Sequence, residues 1–550
     1  MLDKFRNKLG HQASNLDAST NNPLQRLQLP ECNTAKLSFC AGNKLSKVEQ
    51  WAKHLPATQA QRIGALFYQT LPELSRVIMP AQTRLEILEY LRPLVQNSIH
   101  TLTRALIQHP LSLTEAELKS VIISQALQKH LSMAYSRAAL DLSLERKPNA
   151  SALNLCLHRA LNGYGLLLLR NYQLYSPVPD DIWLHIHTLY LASHLWELDS
   201  NTIKDPISKT ASSCQTLYIR SISLACASPY QLRLTEMNVL FEALEHWAAL
   251  IHTPPFDQKS PCLFSTDTHS DRGPDYTANF SHKRLLETGL SINFDDLLGA
   301  FSKQEQFGQG DIIHIPHGFS KSLRDHLRSH WGHKQQRQAN RALDSQTFEV
   351  CVGLTHIHNQ LIKGKKFDSF LYGESNIMQN PHFETNWEAH SPDSNDDKKL
   401  HNIYTVKSNN SSANGYCITW HDKVPHHLRS GELMAIREVG KRMWRIGVIR
   451  WIKHRVNASL DLGFELLGNT IEAYGASTVS PHGGETDFMR AIMITEPTPG
   501  ARPSFLTATM PFQEQSTITL RARGDTQQLQ LGHTLFSTGS FSQFHVKKLN

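Results

Sequence analysis

The sequence predicts an α+β multidomain protein: a helical front half (a bundle or array), then an antiparallel β-barrel, then a second small β-module. Three observations predict it. A chain of 550 residues is too long for one ordinary core. From about 45 to 250 the apolar residues recur with a helical period, and beyond about 337 the period falls to two.

Residues 1–43 are rich in Asn, Gln and Ser and show no period, so a flexible leader is expected. The helical domain is expected over 44–250. There "RLEILEYLRPLV" sets Leu85, Leu88 and Leu91 on one face, with Ile87, Leu94 and Val95 nearby, and "SIHTLTRAL" repeats the spacing with Ile99, Leu102 and Leu106. Thr114 and Glu117 form a capping-box pattern, in which each side chain can satisfy a free N–H of the first helical turn. A helix is expected after Pro179, with Asp180 or Asp181 as its N-cap and Trp183, Ile186, Leu189, Tyr190 and Trp196 turned inward. Residues 251–332 read as a mixed connector.

The barrel is expected over 333–478. Its strands are "TFEVCVGLTHI", "YTVK", "YCITW", "GELMAIRE", "MWRIGVIRWI" and "LDLGFELLG". In the last, Leu460, Leu462, Phe464 and Leu466 share one face and Asp461, Gly463 and Glu465 the other. A charged insertion is expected near 363–402. Residues 479–550 are expected to form the second β-module, with a hairpin about Arg523-Gly524-Asp525 and a closing strand in "GSFSQFHVKKL".

Composition excludes several classes. The net charge of +7 comes without a dense Lys/Arg block, so it argues against nucleic acid as the principal partner. The most apolar run, "YGLLLL", is far too short to span a bilayer, and the N-terminus carries no apolar signal, so a cytoplasmic protein is expected. Eight scattered cysteines without a CxxC pair read as buried thiols. His356 and His358, like His314 and His317, have metal-ligand spacing, but no Cys or carboxylate set completes a site, and no metal or cofactor is expected. No nucleophile elbow, P-loop or paired-carboxylate site appears, so the chain is not expected to be an enzyme.

One constellation carries chemistry. Arg337 and Arg341 lie four apart on an arm leading into a strand, and Asn410-Ser411-Ser412-Ala413-Asn414-Gly415 forms a turn at the mouth of another. Guanidinium groups fork onto phosphate oxygens or guanine edges and stack on base faces. An Asn amide and a Ser hydroxyl present donors and acceptors, and Gly lets the backbone approach closely. A second RxxxR, at Arg324 and Arg328, sits on a helical segment and reads as a solvated face.

With these residues, from about 333 to 470, the chain resembles the PilZ family of bacterial cyclic di-GMP receptor barrels. That family's pattern is an RxxxR arm, a strand, a [D/N]xSxxG turn and further strands. The resemblance implies that Arg337 and Arg341 hold guanine and phosphate, that Asn410 and Ser412 meet the second guanine, and that Gly415 permits the turn. It further implies a non-catalytic cyclic di-GMP effector that passes the second-messenger level to a protein partner through its helical domain. The alternative is a scaffold or adaptor whose PilZ-like barrel no longer binds nucleotide. The long insertion between arm and turn departs from the compact family pattern.

Overall fold

In the computed structural model the described residues are 22–548, apart from 57–58, 105, 107–109, 308–312, 335–341, 374–401, 422, 456–458, 479–485 and 496–501. They fall into two compact units. One holds the described residues of Met1–Pro229 and Leu234–Gln336, the other those of Tyr230–Arg233 and Arg337–Asn550.

The first unit is built on helices α1 (Leu45–Ala52), α2 (Ala60–Arg76), α3 (Ala81–Leu102), α4 (Glu115–Ser143), α5 (Ala150–Gln173), α6 (Ile182–Leu195), α7 (Cys214–Cys226) and α8 (Leu234–Trp247). Helix α4 lies at the centre, packed on α2, α3 and α5. The two periodic segments expected around residues 85 and 99 are one helix. Helix α3 runs through Pro93 because Leu88, Leu91 and Val95 are buried on either side of it. The capping box at Thr114 and Glu117 is present with both reciprocal bonds.

Helix α6 starts where expected, but its cap comes from elsewhere. Asp181 sits at the N-cap position with φ +68 and makes no side-chain cap bond. Instead the carboxylate of Asp271 accepts from the N–H groups of Asp181 (2.7 Å) and Leu184 (2.9 Å). Residues 22–43, expected as leader, are built into this unit. Leu24, Leu27 and Leu37 are buried, and Thr34 bridges to Val77. A two-stranded ribbon of β1 (Ile203–Lys204) and β2 (Ala211–Ser212) follows α6. The expected connector also belongs here, with helices α9 (His282–Thr288), α10 (Asp295–Phe307) and α11 (Lys321–Gly332) and a small antiparallel sheet of β3 (Phe264–Asp267), β4 (Asp275–Tyr276) and β5 (Gly289–Ile292).

The second unit contains two β-barrels. The first comprises β7 (Thr347–Val352), β8 (Tyr404–Ser412), β9 (Gly415–Trp420), β10 (Leu433–Glu438), β11 (Arg445–His454) and β12 (Leu460–Gly468). They pair in the order β8-β7-β10-β11-β12-β9, and the pairing of β9 back to β8 closes the ring. A short β6 (Ala342–Leu343) adds to β8 just ahead of β7. Alternation fills the interior with Phe348, Val350, Val352, Val406, Ile418, Met434, Ile436, Ile449, Leu462 and Phe464, all buried.

The "THIH" residues are not on a strand. Gly353, at φ +86, ends β7, and a helix α12 (Leu354–Leu361) follows, with Leu354, Ile357 and Leu361 on one side. An apolar run continuous with the strand hid this 3.6 period. Among the described residues no group of three or more His, Cys, Asp or Glu is placed to hold a metal ion.

The end of the chain forms a closed barrel of its own, in the order β13-β14-β15-β18-β17-β16. Its strands are β13 (Thr470–Thr478), β14 (Met489–Thr495), β15 (Ser504–Thr507), β16 (Thr517–Ala522), β17 (Asp525–Ser537) and β18 (Ser542–Lys548). Strand β13, expected within the first barrel, pairs with β14 and β16 of the second instead. The sequence runs almost unbroken from β12 into β13 through Asn469, which concealed the boundary. The hairpin turn between β16 and β17 is Arg523-Gly524, both at positive φ.

The two barrels share a core. Cys351, Leu433, Ala435, Ile446 and Val448 point outward from β7, β10 and β11 and pack with Ile357, with Ile492, Ile494 and Leu506, and with Phe541. Each fully buried Val, Leu, Ile or Phe side chain among them contributes about 1.5–3 kcal/mol. Part of the insertion is fixed to the second barrel as well. Helix α13 (Phe367–Tyr372) lays Leu371 over Gly475, where any Cβ would collide with it. The N–H groups of Arg523 and Gly524 donate to the carbonyls of Phe370 (2.7 Å) and Leu371 (3.0 Å), capping the helix from another element.

Candidate functional site

Strands β8 and β9 join through a two-residue loop, Ala413-Asn414. Gly415 pairs with Glu465, and a Cβ at Gly415 would strike the carbonyl oxygen of Phe464. Its glycine is therefore required for close approach to β12, not for an unusual φ. The Ser412 hydroxyl donates to the Gly415 carbonyl at 3.3 Å, and the Leu466 N–H donates to the Asn414 carbonyl at 2.9 Å. The hairpin is thus anchored on β12 rather than hanging free.

One extra residue in β8 shapes the rest. The register slips between Ser408 and Asn410, so Asn409 is a bulge. Its amide donates to the Thr419 hydroxyl at 2.5 Å, and Thr419 and Arg455 each donate to the Asp461 carboxylate at 2.7 Å. Directly cross-strand residues share a face. Asn410 therefore looks outward with Cys417, Gly463 and Trp451, and Ser412 looks outward with Gly415 and Glu465.

A single row crosses the barrel exterior: Leu343, Asn410, Cys417, Gly463, Trp451. Its middle is floored by a thiol and a bare Cα. At one end the Trp451 indole lies flat across Gly463, over the place a Cβ would occupy. At the other end Leu343 is 95% exposed. Among the described residues the Asn410 side chain has no hydrogen-bond partner. A flat aromatic, a shallow floor and an amide with open donors and acceptors suit a planar heterocycle with polar edges.

Of the residues singled out in the sequence, Asn410, Ser412 and Gly415 come together on this exterior face. Arg337 and Arg341 lie outside the described residues. Strand β6 starts at the residue after Arg341, with Ala342 opposite Ser411 and Leu343 opposite Asn410. The second arginine pair, expected on a solvated face, lies part-exposed there and forks onto one carboxylate: Arg324 and Arg328 reach Glu305 at 2.8 and 2.7 Å. That pairing holds the Glu305 carboxyl below its usual range. The expected histidine pair is divided. His356 stacks on His427, with both rings bonded to the Val352 carbonyl, whereas the Nε2 of buried His358 donates to the Tyr474 carbonyl.

Sequence reasoning missed Trp451, Leu343 and the bulged Asn409. Trp451 carried a signal, since it sits in a strand whose neighbour shows an outward glycine. Only the register reveals that the two are opposite.

The closed ring, the arm strand beside the Asn-x-Ser-x-x-Gly hairpin and the exterior row define a PilZ-domain protein. The chain belongs to the family of the cyclic-di-GMP receptor FimW, a three-domain type. The model of that family's N-terminal domain matches residues 46–255, that of its middle PilZ domain 263–396 and 374–472, and that of its C-terminal beta-barrel domain 474–549. The cyclic-di-GMP receptor FimW of Pseudomonas aeruginosa is 25% identical over 96% of this chain and 94% of its own length. No solved structure matches the chain.

Proposed function

We propose that this protein is a non-catalytic cyclic di-GMP receptor whose ligand lies on the exterior face of β8, β9 and β12. Arg337 and Arg341 reach the ligand from the arm, Asn410 and Ser412 meet a guanine edge, and Trp451 offers a stacking surface. The observation that carries the reading is the register of β6. The residue covalently following Arg341 is paired with Ser411, so the arm enters the fold at the hairpin that holds Asn410 and Ser412. The relative's name and the matched PilZ model support the same ligand. No helix among the described residues is long and apolar enough to cross a membrane. The helical unit, which holds none of these ligand residues, is the part we assign to a protein partner.

Thermal melting with and without cyclic di-GMP tests the reading. At ~100 times its dissociation constant the ligand adds roughly 2.7 kcal/mol to the native state. The wild-type transition should rise, and the Arg337→Ala/Arg341→Ala variant should lose that rise while melting normally without ligand. A wild-type transition unmoved by millimolar ligand refutes the receptor reading and leaves an adaptor. A rise that survives the double substitution moves the site elsewhere.

A further inference from the structure

At the edge of the ligand face, one side chain of the first barrel, Arg450, touches an aromatic ring of the second. Strand β11 carries a register shift between Ile449 and Trp451, which leaves Arg450 as the extra residue. Bulges re-aim side chains, and this one sends two successive residues to the barrel exterior. Trp451 covers Gly463 on the ligand row. Arg450 takes the opposite direction: its Nε donates to Glu465 at 2.5 Å, and its guanidinium lies 4.4 Å from the Phe536 ring centroid of β17. Glu465 is the cross-strand partner of Gly415, and Phe536 packs against the buried Phe541 of the shared core.

We propose that Arg450 is a positioning residue that reports occupancy of the ligand face to the second barrel. The inference rests on the receptor reading above. A base settling on Trp451 fixes the 450–451 peptide. An anionic ligand beside Ser412 and Gly415 also alters the field at Glu465, the only carboxylate bonded to Arg450 among the described residues. Both effects act on one guanidinium, whose planar face is stacked on an aromatic of β17. Lysine keeps the charge but loses that planar contact. The second barrel thereby becomes a reader of the first, not only a brace for it.

Amide hydrogen exchange on the full chain tests this, with saturating cyclic di-GMP added to wild type, Arg450→Met and Arg450→Lys. In wild type, ligand should slow exchange at least about fivefold both at the 409–416 hairpin and at 533–537 of β17; a fivefold change is about 1 kcal/mol. In Arg450→Met the hairpin should stay protected while the β17 response disappears, and Arg450→Lys should behave like Met. A role confined to stability would raise exchange in β17 with and without ligand alike, leaving the ligand response intact, and so overturns the proposal. Protection of the hairpin in wild type without a β17 response overturns the coupling alone. Absence of any ligand effect at the hairpin removes the receptor reading and the coupling together.

Discussion

The first barrel has two exteriors. On β7, β10 and β11 the outward side chains Cys351, Leu433, Ala435, Ile446 and Val448 are buried against the second barrel. On β8, β9 and β12 the outward positions are Asn410, Ser412, Gly415, Cys417, Thr419, Asp461 and Gly463. The interior between them is the same continuous apolar core. The strand period is also the same, so geometry alone does not separate an adhesive face from a receptive one. Branched apolar side chains make one side interlock permanently. Small and polar ones leave the other side shallow, with the Asn410 amide unbonded among the described residues.

That contrast can be broken first at the adhesive face. Ile446→Ala should cost about 2–5 kcal/mol in chemical denaturation, because the close-packed seam collapses incompletely around the cavity. Cyclic di-GMP affinity, measured by calorimetry where the variant is still folded, should stay within about twofold.

Acid should act beside that face, where His358 of α12 bonds the second barrel. Burial pushes His358 down to about 4, below the ordinary imidazole value of 6.5. Its Nδ1 is buried without a hydrogen-bond partner among the described residues, so a proton added there has none of them to bond. The unfolded chain takes up that proton first. Stability from this group is therefore complete above pH 6.5 and is lost as pH falls from 6.5 towards 4, by up to about 3 kcal/mol. Urea midpoints of wild type and His358→Gln between pH 7 and 4.5 check this, with the shallower dependence expected in the variant.

At the receptive face, Gly463→Ala forces the Trp451 indole off β12, since the new Cβ has no room beneath it. A loss of about 1–3 kcal/mol in stability is expected, with at least tenfold weaker ligand binding by titration. The smallest disturbance to the fold should come from Asn410→Ala. With no partner among the described residues, the amide should be worth less than about 0.5 kcal/mol to stability, yet its removal should weaken cyclic di-GMP roughly tenfold. Were Asn410→Ala to destabilise the fold and spare affinity, the two faces would not be divided as described.

Features encoded locally were legible in the sequence. The Thr114–Glu117 capping box spans three residues, and the alternation in "LDLGFELLG" is written in consecutive letters. The polar hairpin was legible too, because Asn, Ser and Gly between two apolar runs already mark a turn. Features that depend on distant partners were not legible. Asp271 caps a helix that begins 90 positions earlier in the chain. Trp451 meets Gly463 only through a bulged register. The helix at Leu354–Leu361 was absorbed into the preceding strand because one apolar run serves both. The closure of the second barrel, and the loss of β13 to it, follow from pairings that short-range pattern does not encode.

Asn469 is the sole residue between the end of β12 and the start of β13. Yet the β7–β8 crossover lays its helix across Gly475, and the Arg523-Gly524 turn grips that helix by its carbonyl end. A protease nick at Asn469 should therefore release no fragment: the two pieces should co-elute natively and separate only in denaturant. Coexpressed halves divided there should find one another, which makes that joint a practical place to split the protein into complementing parts.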